Sequence, residues 1–240
     1  MYRKLLLSLM ATSALIVGFA GAASAAVPSD ETFVGGSVNQ LRTRSFNADG
    51  TRSTCSFIKA VNERRLGGSD SPLDAATNHH DFQAHICTGG WIEVFTQASL
   101  NNLTGMKVGD LKNVGVDFQT ADITGAGQVY IAVQLVGGGT LFLDPTYCSH
   151  PIDGVWSTTD FDTAGAGCTI FDSAGTAYIS TATQSALQVY QAAHPTATVD
   201  YTFLLVSAAP TDHTIHLDRI ELGTGWSYDY TKLYAKHLAA

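Results

Sequence analysis

From Val27 onward the chain is organised by alternation of apolar and polar positions over short runs. In "GQVYIAVQLVGGG" Val129, Ile131, Val133 and Leu135 fall on one parity, and Tyr130, Ala132, Gln134 and Val136 on the other. Period two is the signature of a strand with two different faces. "TVDYTFLLVSA" repeats it, with Val199, Tyr201, Phe203 and Leu205 on one side. Further strands are expected over Phe33 to Phe46, Cys55 to Val61, Phe82 to Cys87, Trp91 to Thr96, Val114 to Thr120, Leu141 to Asp144, Val155 to Asp160, Tyr178 to Thr181 and Trp226 to Tyr230. Many short strands separated by turn residues predict an all-β, two-sheet sandwich.

Two stretches break the rhythm. "TATQSALQVYQAAHP" spaces Ala186, Leu187, Tyr190 and Ala193 as a helix does, with Ser or Thr available before it and Pro195 just beyond. One short helix is therefore expected near residues 183–194, lying across a sheet edge. In "TIHLDRIEL" Ile215 and Leu217 share one parity and Ile220 and Leu222 the other. A bulge near Asp218 or Arg219, or a strand covered on both faces, accounts for the switch. "FDTAG" and "FDSAG", ten residues apart around Cys168, read as two similar turns built on Asp and Gly.

The first 25 residues change the compartment. Arg3 and Lys4 precede an apolar run from Leu5 to Ala20, and small residues end in Ala23, Ser24 and Ala25. This is the pattern of a cleaved secretory signal peptide, residues 1–25, leaving 26–240 as a single domain. The apolar run is shorter than a membrane span requires, and no second span follows it, so no membrane span is expected after cleavage. A secreted or periplasmic location follows. Without Arg3 and Lys4 the chain has 11 basic and 21 acidic residues, a formal charge of −10, which argues against nucleic acid as a partner. Charged residues make up only 14% of the chain and hydrophobic ones 45%, enough for a substantial core.

Cys55, Cys87, Cys148 and Cys168 form no C-x-x-C pair, which weakens zinc-ribbon and redox-motif readings. Two structural disulfides are expected in an oxidising compartment. Three pairings are open, and the sequence-local one, Cys55 with Cys87 and Cys148 with Cys168, is favoured.

Across about residues 99–231, "LTGMKVGDLKNVGVDF", "GVWSTTDF", "YQAAHPTATVDYTFLLV" and "IHLDRIELGTGWSYDY" follow one another in an order that resembles secreted bacterial jelly-roll domains of uncharacterised function, themselves similar to carbohydrate-binding modules. The resemblance implies a jelly-roll sandwich and an extracellular glycan as partner, and it offers Asp218 as a ligand for a structural calcium near the terminal strands, although an Asp at the bulge making backbone hydrogen bonds is the favoured role for that residue. It implies no other cofactor. The N-terminal third departs from that pattern.

The candidate chemistry is sparse. "NHHDFQAH" gathers His79, His80, Asp81 and His85, which are metal-ligand or general-base residue types. Yet His80 and His85 are five apart, on opposite faces of an extended strand, and a polar loop is the expected role. His213, His216, Asp218 and Glu221 form a second group in which His216 and Asp218 share a parity. No G-x-S-x-G, phosphate-binding or dinucleotide-binding glycine motif occurs. Aromatic residues are the remaining source of binding. Trp226, Tyr228 and Tyr230 lie at strand period and would present one flat row to sugar rings, whereas Trp156 is expected in the core. The reading is a non-catalytic, carbohydrate-binding protein. The runners-up are a jelly-roll hydrolase or lyase acting on polysaccharide, and a structural or adhesive envelope protein.

Overall fold

The computed structural model describes residues 32–34, 41–62, 80–120, 127–148, 155–208, 212–224, 226–228 and 236–237. The signal-like segment, His79 and Tyr230 lie outside them. The strands are β1 (Thr32–Val34), β2 (Leu41–Phe46), β3 (Phe57–Asn62), β4 (His80–Ile86), β5 (Trp91–Phe95), β6 (Val114–Thr120), β7 (Gly127–Leu135) and β8 (Thr140–Leu143). They continue with β9 (Ser157–Asp160), β10 (Thr169–Asp172), β11 (Ala177–Ile179), β12 (Val199–Ala208), β13 (His213–Leu222), β14 (Trp226–Tyr228) and β15 (Lys236–His237). The run expected from Phe33 to Phe46 is thus two strands, β1 and β2, paired antiparallel. β10 was not anticipated, because "TIFD" is too short to display a period.

One sheet has eight strands in the order β1-β2-β5-β12-β7-β8-β10-β11. The other has seven: β13 pairs with β4 and β14 along one edge and with β6 along the other, and β3, β9 and β15 extend it. Within them, β4-β13-β6-β9 faces β5-β12-β7-β8. Successive strands change sheet everywhere in this set except at the β7–β8 hairpin and return through β12 and β13, which is the jelly-roll arrangement. Strands from before and after Leu100 share both sheets, β4 with β13 and β5 with β12. Among the described residues, no helix is long and apolar enough to cross a membrane.

Alternation fixes which side chains fill the space between the sheets. Ile131, Val133, Leu141, Leu143, Ile170, Leu204 and Val206 from one sheet meet Ala84, Ile86, Val114, Val116, Ile215, Leu217, Ile220 and Leu222 from the other, all fully buried. Thr202 is also inward, and its hydroxyl donates to the Leu222 carbonyl at 2.6 Å, a polar tie across the core. Both halves of β13 face inward because the register against β6 slips between Asp218 and Glu221, with Arg219 at φ 42°. In β12 the register shifts between Val199 and Tyr201, so Val199 is buried while Tyr201, Phe203 and Leu205 face outward.

The expected helix is α2 (Ala186–Ala193), preceded here by a single helical turn, α1 (Gln97–Asn101). A reciprocal cap starts α2: the Gln188 amide N–H donates to Ser185 Oγ, and the Ser185 N–H to Gln188 Oε1. Ala186, Leu187 and Tyr190 are buried as the spacing predicted, whereas Ala193 is exposed at the helix end. The disulfides Cys55–Cys87 and Cys148–Cys168 have the sequence-local pairing. Trp156 is buried.

The β13 bulge is held from the outer face of the seven-stranded sheet. Arg219 Nε donates to Asp117 Oδ1 at 3.0 Å, Nη1 to Asp160 Oδ1 at 2.9 Å and to Glu221 Oε2 at 2.8 Å, and Nη2 to the Thr159 carbonyl at 2.7 Å. Gly115 makes room for this: a Cβ there would collide with the Thr159 carbonyl oxygen and crowd Arg219 Nη1 at 3.3 Å. Gly115→Ala is therefore expected to destabilise the protein by about 1–3 kcal/mol through overpacking. Chemical denaturation checks this, and an unchanged midpoint would refute the tight fit.

Candidate aromatic binding face

The alternation that buries one parity of the eight-stranded sheet turns the other parity outward, and that outward set is rich in rings. Register places Arg44 opposite Glu93, Glu93 opposite Leu205, and Leu205 opposite Tyr130. The next row runs from Phe203 through Ala132 and Phe142 to Phe171. A third joins Tyr201, Gln134 and Thr140. Tyr201, Phe203, Phe142 and Phe171 are half-buried, while Ala132 between Phe203 and Phe142 is fully buried, so the flanking side chains close over it. The result is an outer face on which these rings recur from row to row.

Ring contacts hold this surface in shape. Tyr201 and Phe203 centroids lie 6.0 Å apart, Tyr130 meets Phe142 edge-on at 6.2 Å, and Tyr147 meets Phe171 edge-on at 5.1 Å. Nearer β2, Phe46 stacks on Trp91 at 5.0 Å and the Arg44 guanidinium lies 4.6 Å from the Phe95 centroid. These geometries are the favourable ones for aromatic pairs and for a cation over a ring.

Polar groups punctuate the face. Arg44 Nη1 is 3.9 Å from Glu93 Oε2, and Thr140 donates to Gln134 Oε1 at 2.9 Å. Burial pushes the Glu93 carboxyl above its ordinary value, with Arg44 opposing. Asp144, directly after β8, is pushed up to about 6 by burial, against the pull of the Thr146 N–H and hydroxyl that it accepts at 2.9 and 2.6 Å. Burial and the nearby Asp144 carboxylate raise the Tyr130 and Tyr147 phenols.

The residues expected to bind from sequence lie elsewhere. Trp226 and Tyr228 are on β14, at the edge of the seven-stranded sheet beside Ile220 and Glu221. Asp218 is fully buried on β13 opposite Asp117, next to the Arg219 guanidinium that already supplies a cation to this acidic patch. His213 and His216 are partly exposed on the same strand. His80 and Asp81 begin β4, apart from His85 near its end.

An open cleft of about 380 Å³ along β2 and β3 is lined by Thr43, Ser45, Ser53, Thr54 and Ser56, with Arg52, Phe57 and Ile58. Beside it the fold brings His85 to the Cys55–Cys87 disulfide, with His85 Nε2 3.7 Å from Cys87 Sγ. The sequence carried a signal for that contact, since His85 and Cys87 share a strand parity. The rings of the outer face carried less, because Phe142, Phe171 and Phe203 become neighbours only through long-range strand pairing. No family model matches the chain, and no curated protein or solved structure matches it, so the chemistry of its own residues is the basis for any functional reading.

Proposed function

We propose that this protein is a secreted or periplasmic, non-catalytic binding protein whose ligand is an extracellular polysaccharide lying across the outer face of the eight-stranded sheet. The observation that carries the reading is the register-matched set of half-buried rings, Tyr201, Phe203, Phe142 and Phe171, next to Gln134 and Thr140. Sugar rings present apolar C–H faces and a rim of hydroxyls, and this combination of apolar aromatic surface and sparse hydrogen-bonding groups is their complement. Two disulfides suit an oxidising compartment.

Spacing disfavours glycoside hydrolysis by this face. Its carboxyls with raised pKa, Glu93 on β5 and Asp144 after β8, are separated by the β5-β12-β7-β8 order. Three strand spacings are roughly 14 Å, beyond the 6.5–9.5 Å of an inverting pair. Trp226 and Tyr228 on β14, with Tyr230 beyond the described residues, are the second location for the same activity. The test is retention of the mature protein on a panel of insoluble and soluble polysaccharides. Selective retention without release of reducing ends supports the reading, release of sugars or unsaturated products would turn it to a hydrolase or lyase, and no retention on any glycan would favour the envelope-protein reading.

A further inference from the structure

The Cys55–Cys87 disulfide is more than a staple in its surroundings. It joins the loop before β3 to the residue after β4, with Cys55 exposed and Cys87 partly so. His85 lies one side-chain repeat before Cys87 on β4, and its Nε2 is 3.7 Å from Cys87 Sγ. The other ring nitrogen, Nδ1, is 3.3 Å from the Thr214 hydroxyl on the neighbouring strand β13, and the Phe57 ring lies 5.3 Å from the imidazole. The imidazole is thus held from three sides with Nε2 turned to sulfur. The ligand atoms of Cys55, His85 and Cys87 all lie within 4.8 Å of one another, and among the described residues this is the His, Cys, Asp or Glu group that converges so closely.

We propose that Cys55, Cys87 and His85 form a redox-gated zinc site, closed while the disulfide is intact and opened by a dithiol reductant. The chemistry balances with that reductant alone. Its thiolate attacks exposed Cys55 Sγ, the S–S bond breaks, and Cys87 leaves as a thiolate beside His85. The second thiol of the reductant then displaces Cys55, so that the reductant becomes a disulfide and two electrons reside on the two cysteines. The two protons carried over from the reductant leave to solvent when the cation binds.

Geometry and ligand type both suit zinc. In a tetrahedral site with Zn–S of about 2.3 Å and Zn–N of about 2.0–2.1 Å, sulfur and nitrogen are about 3.6 Å apart, close to the 3.7 Å between Cys87 Sγ and His85 Nε2. Two thiolates and one imidazole leave the fourth position for water on the solvent side, where Cys55 is exposed. Thr214 supplies the outer-shell contact that fixes the ring of a ligating histidine. The second disulfide offers no such site, since Cys148 and Cys168 are buried.

The test uses the mature protein under anaerobic conditions. Graded dithiol treatment with alkylation and peptide mass mapping should open Cys55–Cys87 before Cys148–Cys168, with the far-UV β-sheet signal retained. After the dithiol is removed, Co(II) should bind at one equivalent with thiolate charge-transfer absorption, and Zn(II) should abolish that absorption. The oxidised protein should show neither. His85→Ala should weaken Zn(II) by more than about 100-fold, the upper end of what disturbing an outer-shell partner costs. The proposal is overturned if Cys148–Cys168 opens first, if reduction of Cys55–Cys87 unfolds the protein, if the reduced protein binds no more Co(II) than the oxidised one, or if His85→Ala binds Zn(II) as tightly as the wild type.

Discussion

Arg219→Met should lower stability by about 3–5 kcal/mol, the usual cost of removing one partner from a buried ionic cluster. Met reaches about as far as Arg Nε and keeps the apolar packing of the stem, so the loss reports the guanidinium together with the space it filled. Without it, the fully buried Asp117 carboxylate and the nearly buried Glu221 carboxylate are left facing one another and Asp160, and the Thr159 carbonyl loses its 2.7 Å donor. The same group secures the β13 bulge, so the consequence extends to the core. If the bulge relaxed, Ile220 and Leu222 would be driven to the face now occupied by Glu221 and Arg219. Urea denaturation at neutral pH would check this, and a loss below about 1 kcal/mol, the scale of an exposed ion pair, would contradict the buried-cluster account.

Asp144→Asn should stabilise the protein near neutral pH, and the gain should itself depend on pH. Burial raises the Asp144 carboxyl from 3.8 to about 6 in the folded protein. The folded state therefore holds this proton more tightly than the unfolded chain. The stabilising contribution of the protonated form is complete below about pH 4 and is lost as pH rises through about 6. A shift of about two units corresponds to roughly 3 kcal/mol. The Asn side chain keeps an oxygen that can accept the Thr146 N–H and hydroxyl but carries no titrating proton. The stability difference, variant minus wild type, should grow by up to about 3 kcal/mol between pH 4 and pH 7. Groups common to both proteins cancel in that difference. A flat difference across this range would show that Asp144 titrates as an ordinary carboxyl.

The parts of the fold that were legible in the sequence were those encoded locally. The parity of Val129, Ile131 and Val133 foretold their burial, and the switch from Ile215 and Leu217 to Ile220 and Leu222 foretold the bulge. A Ser or Thr before the run and Pro195 beyond it bounded α2, because a cap and a breaker act within a few residues, while the part played by Gln188 in the cap is seen only in the structure. The β12 irregularity at Asp200 was hidden because Val199 and Tyr201 continue the apolar period through it. Long-range assembly was less legible. Arg219 and Asp117 are 102 residues apart in the chain, and nothing near either one announces the other. The aromatic face has the same origin, since β8, β10 and β12 each contribute a Phe that reads singly as a half-buried strand residue. Trp226, Tyr228 and Tyr230, by contrast, stand at a period of two that is visible within five residues of sequence.

Calorimetric titration of the best-retained polysaccharide against wild type, Tyr201→Ala and Trp226→Ala tests the central claim most directly. Tyr201 is half-buried at the margin of the aromatic face, so its truncation leaves the inward side of β12 untouched. If the glycan lies across the eight-stranded sheet, Tyr201→Ala should lose about 0.5–1.5 kcal/mol of binding, roughly 2- to 12-fold in affinity, while Trp226→Ala binds as the wild type does. Unchanged affinity in Tyr201→Ala together with loss in Trp226→Ala would contradict the account and place the site on β14.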